Sequence, residues 1–183
     1  MSTYSGAVYK LSLIAMCVAA ITLSAWLAIP FPISFTMQTF AIFLISGCFS
    51  PQISLSAVII YLLLGIIGIP VFSGFNAGFS AILGASGGCL IAFPFCALII
   101  SLFRKHYFEK KILYILLMLF SLAICYIFSC FWYLFIFAPS AGSNILTAIS
   151  ICVLPFIIPD ILKIFLVYLI FKRLNPYLDR LPK

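Results

Sequence analysis

Residues 154–173 read LPFIIPDILKIFLVYLIFKR, an apolar run that closes on Lys172-Arg173 and holds one acid, Asp160, and one amine, Lys163. An i, i+3 spacing puts these two side chains on the same face of a helix. Lys163 precedes Lys172 by nine residues, which places it about 13 Å inside the charged end at ~1.5 Å of rise per residue. That is too deep for its amine to reach the interface easily. A charged side chain at the bilayer centre costs about 2.5–3.5 kcal/mol on insertion scales. Pro159, directly before Asp160, is expected to break the helix and expose backbone groups to a cavity. Two readings follow. The pair either neutralises itself and locks the span in place, or it lines a polar pocket for a ligand that has both donors and acceptors.

The rest of the chain has the same solvent preference. Of its 183 residues 66% are hydrophobic and only 7% charged, against about 25% charged in a soluble domain. So few polar side chains cannot cover a water-facing surface. Continuous apolar runs, without the alternation of barrel strands, indicate helices. The runs cover residues 11–29, 37–49, 52–68, 79–103, 112–137 and 144–171. They predict an all-α integral membrane protein with about six transmembrane helices, forming a single transmembrane domain over residues 1–183. Punctuation falls at Pro30-Phe31-Pro32, Ser50-Pro51, Gly68-Ile69-Pro70 and Ser73-Gly74-Phe75-Asn76-Ala77-Gly78. Gly84-Ala85-Ser86-Gly87-Gly88 interrupts the fourth run. The first run is too long for the apolar core of a cleaved signal peptide and is expected to be retained.

Nine of the ten Lys and Arg lie in three segments: Lys10; Arg104, Lys105, Lys110 and Lys111; and Lys172, Arg173, Arg180 and Lys183. Six crossings put all three on one side. The opposite loops, near residues 30–36, 69–78 and 138–144, hold no charge. The positive-inside rule then predicts that both termini are cytoplasmic, in a multi-pass protein of the cell membrane. The net charge of +7 reflects these headgroup-facing clusters and gives no nucleic-acid footprint. The seven cysteines include no C-x-x-C pair and His106 is the single histidine, so no metal or redox cofactor is expected. The cysteines read as small apolar fillers.

The polar residues Ser34, Thr36, Gln38, Thr39, Ser73, Asn76 and Ser86 gather at helix breaks on the uncharged side, as an outward-facing binding site would require. Singly, each also reads as a side chain bonded to its own backbone. Ala15-x-x-x-Ala19 in the first span is small-xxx-small spacing that allows close approach of another helix, either within the bundle or from a partner.

Three segments carry a family likeness. They are Pro32-Ile33-Ser34-Phe35-Thr36-Met37-Gln38-Thr39-Phe40, the run from Tyr61-Leu62-Leu63-Leu64-Gly65 through Pro70-Val71-Phe72 to Gly84-Ala85-Ser86-Gly87-Gly88, and Pro155 to Asp160 and Lys163. In this order and spacing they resemble BioY, the substrate-binding S component of biotin transporters of the energy-coupling factor type. The resemblance implies an S-component fold with biotin held near the outer side. It implies that Asp160 and Lys163 contact the polar ring or the carboxylate, and that Asn76 and Gln38 add hydrogen bonds. Thr36, Ser86, Gly87 and Gly88 are carried over as substrate-binding positions. Phe35, Phe72 and Trp132 could wall the apolar ring and valeryl chain, or simply meet lipid and core.

The resemblance also implies a transmembrane coupling subunit docked on the Ala15/Ala19 stripe and ATPase partners. The chain has no G-x-x-x-x-G-K-[ST] segment of its own. Three alternatives stay open: a carrier of the same type for another vitamin or small carboxylate, a solitary oligomeric biotin transporter, and a purely structural subunit. A membrane enzyme finds no paired acids or Ser–Lys arrangement to support it.

Overall fold

In the computed structural model, residues 2–29, 35–107, 111–137 and 144–178 are described. Ser34, the Pro30–Pro32 breaker, Glu109, Lys110, Asp179, Arg180 and Lys183 lie outside them. The helices are α1 (Ser2–Trp26), α2 (Gln38–Cys48), α3 (Pro51–Ile67), α4 (Phe79–Leu83), α5 (Gly87–Leu102), α6 (Lys111–Trp132), α7 (Ile145–Cys152) and α8 (Ile157–Leu178). Two residue pairs between α1 and α2 form a short antiparallel ribbon, β1 (Ala28–Ile29) and β2 (Phe35–Thr36), with Ala28 opposite Thr36.

Among the described residues, Gly6–Trp26 and Ile112–Phe137 are long and apolar enough to cross a membrane alone. The pair α7 and α8, bent by 45°, makes a third candidate. Helices α2, α3 and α5 have 11, 17 and 16 residues, short of the ~20 that a full crossing needs. Their shortfall is made up by loops at one end. Irregular backbone at membrane depth is tolerated only where protein or a water-filled cavity surrounds it; the breaks at residues 72–73, 76–77 and 84–86 line a cleft.

Several boundaries differ from the expected ones, each for a local reason. The first helix ends at Trp26, because Ala28 and Ile29 pair with β2 instead of continuing the helix. The fourth run is two helices, α4 and α5, separated at Gly84–Ser86. The fifth continues past Trp132 as a π-helical turn, Tyr133–Phe137. In the sixth, the break falls around Pro155, and Pro159 does not break the helix. Pro159 is the third residue of α8, where a backbone N–H would lack an intrahelical acceptor anyway. The regular helical bond from Asp160 N to the Phe156 carbonyl forms at 2.8 Å.

One end of the bundle is tied by aromatic rings. Tyr114 lies 4.5 Å from Tyr107 and 4.6 Å from Phe171, centroid to centroid, and its hydroxyl donates to the Phe43 carbonyl at 2.8 Å. This cluster gathers the Arg104–His106 turn, the start of α6 and the stretch of α8 before Lys172 at the same end. The opposite end holds the breaks. There α3 stops on Gly68, whose φ of 113° suits glycine. The outward faces of α6 and α8, including Phe120, Ile127, Ile158, Ile161 and Phe165, are exposed. They are apolar, as lipid contact requires.

Helices α5 and α6 approach at glycine. A Cβ on Gly88 would meet the Phe128 carbonyl and the Ser129 Cα of α6, and backbone atoms cannot move aside as a side chain can. Gly88→Ala is therefore expected to destabilise the protein by about 1–3 kcal/mol. Gly6→Ala, with nothing within 4 Å of its added carbon, should match or slightly exceed wild type. Thermal unfolding of the two variants in detergent measures the difference.

Candidate functional site

The buried charge on α8 is fully partnered. Lys163 Nζ donates to Asp160 Oδ1 at 2.8 Å, to the Thr36 carbonyl at 2.7 Å and to Thr39 Oγ1 at 3.2 Å. An ammonium has three donors, and these bonds use all of them. The amine also sits 4.0 Å from the Phe35 ring centroid, a favourable contact for a cation. Asp160 Oδ2 accepts a 2.8 Å bond from the Tyr126 hydroxyl on α6. Asp160 and Lys163 are each only 5% exposed, so the pair faces the bundle interior.

The turn between β2 and α2 supplies the other half of the site. Thr36 Oγ1 donates to Gln38 Oε1 at 2.9 Å, and Gln38 Nε2 donates to the Tyr61 hydroxyl on α3. Tyr61 is wholly buried and meets Phe72 edge to face, with centroids 5.5 Å apart. The polar chain from α3 to α2 thus ends beside the one from α6 to α8.

Between these groups lies a cleft with two lobes that share Gln38, Ser73, Ser86 and Leu90 as walls. The larger lobe, about 310 Å³, is bounded by Phe72, Asn76, Ala77, Ser80 and the Gly84-Ala85-Ser86 break. That volume falls at the lower edge of the ~300–1,000 Å³ typical of small-molecule sites. The smaller lobe, about 50 Å³, reaches Thr36, Thr39, Cys89, Cys125, Tyr126, Asp160 and Lys163. The cleft begins at the N-terminal end of α5, and the basic turn follows its C-terminal end. The polar cleft and the cationic end are therefore at opposite ends of one helix.

The positions singled out in the sequence divide by geometry. Asp160, Lys163, Gln38, Thr36, Asn76, Phe72 and Ser86 all line the cleft. Asn76 turns one amide N–H back to the Ser73 carbonyl at 2.7 Å. Phe35 reaches the site through Lys163 and stacks near Phe156 at 6.4 Å. Gly87, Gly88 and Trp132 form a joint behind the wall. Gly88 presses against the α6 backbone, Gly87 against the Ile82 carbonyl of α4 and the Trp132 ring, and Trp132 Nε1 donates to the Gly84 carbonyl at 3.2 Å. Ala15 and Ala19 lie exposed on α1, away from the cleft.

Two partners of the site, Tyr126 and Tyr61, are not marked by local pattern in the sequence, nor is the bond that Lys163 donates to Thr39. A tyrosine inside a lipid-length run needs an acceptor for its hydroxyl, and that requirement was the available signal. Among the described residues no cluster of His, Cys, Asp and Glu could hold a metal ion.

Comparison with known proteins identifies the family and the fold. The BioY family profile matches residues 1–180. This chain belongs to the BioY family. The BioY relative from Pyrococcus horikoshii, a probable biotin transporter, is 36% identical over 167 residues, 91% of this chain and 96% of that protein. The biotin transporter BioY of Thermotoga maritima is 34% identical over 146 residues, covering 79% of this chain and 73% of its own. The crystal structure of the S-component for biotin from an ECF-type ABC transporter superposes with a TM-score of 0.83 at 26% identity, over 96% of this chain and 95% of that one. The BioY-family chain is thus an all-α integral membrane protein with the S-component fold.

Removing one member of a buried pair leaves the other charge uncompensated. Lys163→Met is expected to lose about 3–5 kcal/mol of stability, whereas Lys163→Met with Asp160→Asn, which removes both charges, should recover most of it. Unfolding temperatures of the single and double variants test this.

Proposed function

We propose that this chain captures biotin from outside and carries it across the cell membrane as the substrate-binding S component of an energy-coupling factor transporter, with both termini cytoplasmic. The observation that carries the reading is the buried Asp160–Lys163 pair, partnered on every side and opening onto a polar cleft in a BioY-family bundle. A ureido ring offers two N–H donors and one carbonyl acceptor. Asp160 can only accept, Lys163 can donate to the ligand by giving up one of its three protein bonds, and Gln38 and Asn76 can do either. Phe72 supplies an apolar wall in the larger lobe, with room beside it for a valeryl chain. Thr36 and Ser86 edge the same space, Phe35 backs the amine, and the Gly87, Gly88 and Trp132 joint holds the wall in place.

Energy for uphill transport comes, in this reading, from a transmembrane coupling subunit and ATPases. The exposed Ala15/Ala19 face of α1 suits a second helix at close range.

Titrating purified protein with biotin tests the site. Asp160→Asn and Lys163→Ala are each expected to weaken binding by at least about tenfold, the scale of a lost hydrogen bond to a charged group. Folded variants that bind biotin as tightly as wild type would remove both residues from the site. A second measurement addresses the partners. Ala15→Leu with Ala19→Leu should leave biotin binding by the purified chain unchanged and reduce biotin uptake by cells that express the coupling module. Undiminished uptake would rule out docking on this face.

A further inference from the structure

The acid of the site is held at both oxygens from two different helices. Lys163, one turn along α8, takes Oδ1, and Tyr126, on α6, donates its hydroxyl to Oδ2 at 2.8 Å. The terminal torsion of an aspartate is soft and roughly two-fold, so a carboxylate held at one oxygen can still swing. Held at both, it is fixed in plane. An ionised carboxylate has about four acceptor positions. Tyr126 and Lys163 take one each, and the remaining positions are open to donors in the smaller lobe, which both Asp160 and Tyr126 line.

The hydroxyl is what distinguishes residue 126 from its neighbours. Phe120, Phe128 and Phe131 on the same helix pack against lipid or core without one. Tyr126 alone on α6 places an O–H against the acid of α8.

We propose that Tyr126 is a positioning residue that orients Asp160 and thereby makes the site select ligands carrying ring N–H donors. The proposal rests on Asp160 being the ligand's acceptor, as argued above. Phenylalanine at 126 keeps the ring that bounds the lobe and removes only the bond.

The test uses the full chain, purified, with biotin as the probe. Tyr126→Phe is expected to bind biotin at least about tenfold more weakly, with its unfolding temperature lowered by only about 2–10 °C for the lost buried bond. Difference infrared spectroscopy provides a readout that packing alone would not move. The chain has three Asp and Glu in all and Asp160 is buried, so loss of the Tyr126 bond should shift a carboxylate stretching band. Tyr126→His, which returns an N–H donor to a ring at that place, should recover most of the binding and of the band position. It carries the same measurements should the phenylalanine variant fail to fold.

Wild-type affinity in Tyr126→Phe, or weaker binding with an unmoved carboxylate band, overturns the proposal. Failure of the wild-type protein to bind biotin would instead overturn the functional reading, and the band shift would still decide whether Tyr126 holds Asp160.

Discussion

An ammonium buried among apolar helices must have every donor met, and Lys163 meets its three on three different elements, α8, β2 and α2. Asp160 is on its own helix, the Thr36 carbonyl ends β2 and the Thr39 hydroxyl lies in the first turn of α2. The bond to Thr36 joins residues 127 apart in the chain. It therefore fixes the end of the β ribbon against α8, at the place where α2 begins. The low dielectric that makes an isolated charge so unfavourable also makes this set of bonds strong. The same four groups are the ones a polar ligand would address.

The second constraint is that hydrocarbon does not solvate peptide groups. Helices α2 and α5 are too short to cross by themselves, so non-helical backbone lies within the bundle. Part of it is gathered where Gly84, Ala85 and Ser86 on one side and Phe72, Ser73, Asn76 and Ala77 on the other bound the larger lobe. Gathering the breaks serves two ends. It pairs part of the irregular backbone locally, as in the Phe72 N–H to Asn76 carbonyl bond, and it supplies polar atoms to a cavity among apolar helices. The glycines beside the break, Gly87 and Gly88, let α5 sit close on α6, and Trp132 bonds across to the Gly84 carbonyl.

Local pattern and burial were legible at different levels. Run lengths, Pro and Gly punctuation and the placement of basic residues were enough for an all-helical membrane bundle. Misjudged details were those in which a breaker's effect depends on its position in the helix. Pro159 looked like a break and sits harmlessly in the first turn of α8, whereas Pro155 lies in the bend. Ala28 and Ile29 looked helical and pair with Phe35 and Thr36 instead.

By itself the sequence determined the solvent, the helical class and the presence of one costly acid–amine pair, because composition, run length and i, i+3 spacing are properties of a chain segment alone. The S-component likeness came from short motifs in a fixed order. Which groups complete the pair was decided only in three dimensions. Tyr126 lies 34 residues from Asp160 and Tyr61 lies 23 from Gln38, and no local periodicity relates them. Their partnership arises because α6 packs beside α8 and α3 beside α2, and a buried hydroxyl takes whichever partner that packing brings within reach.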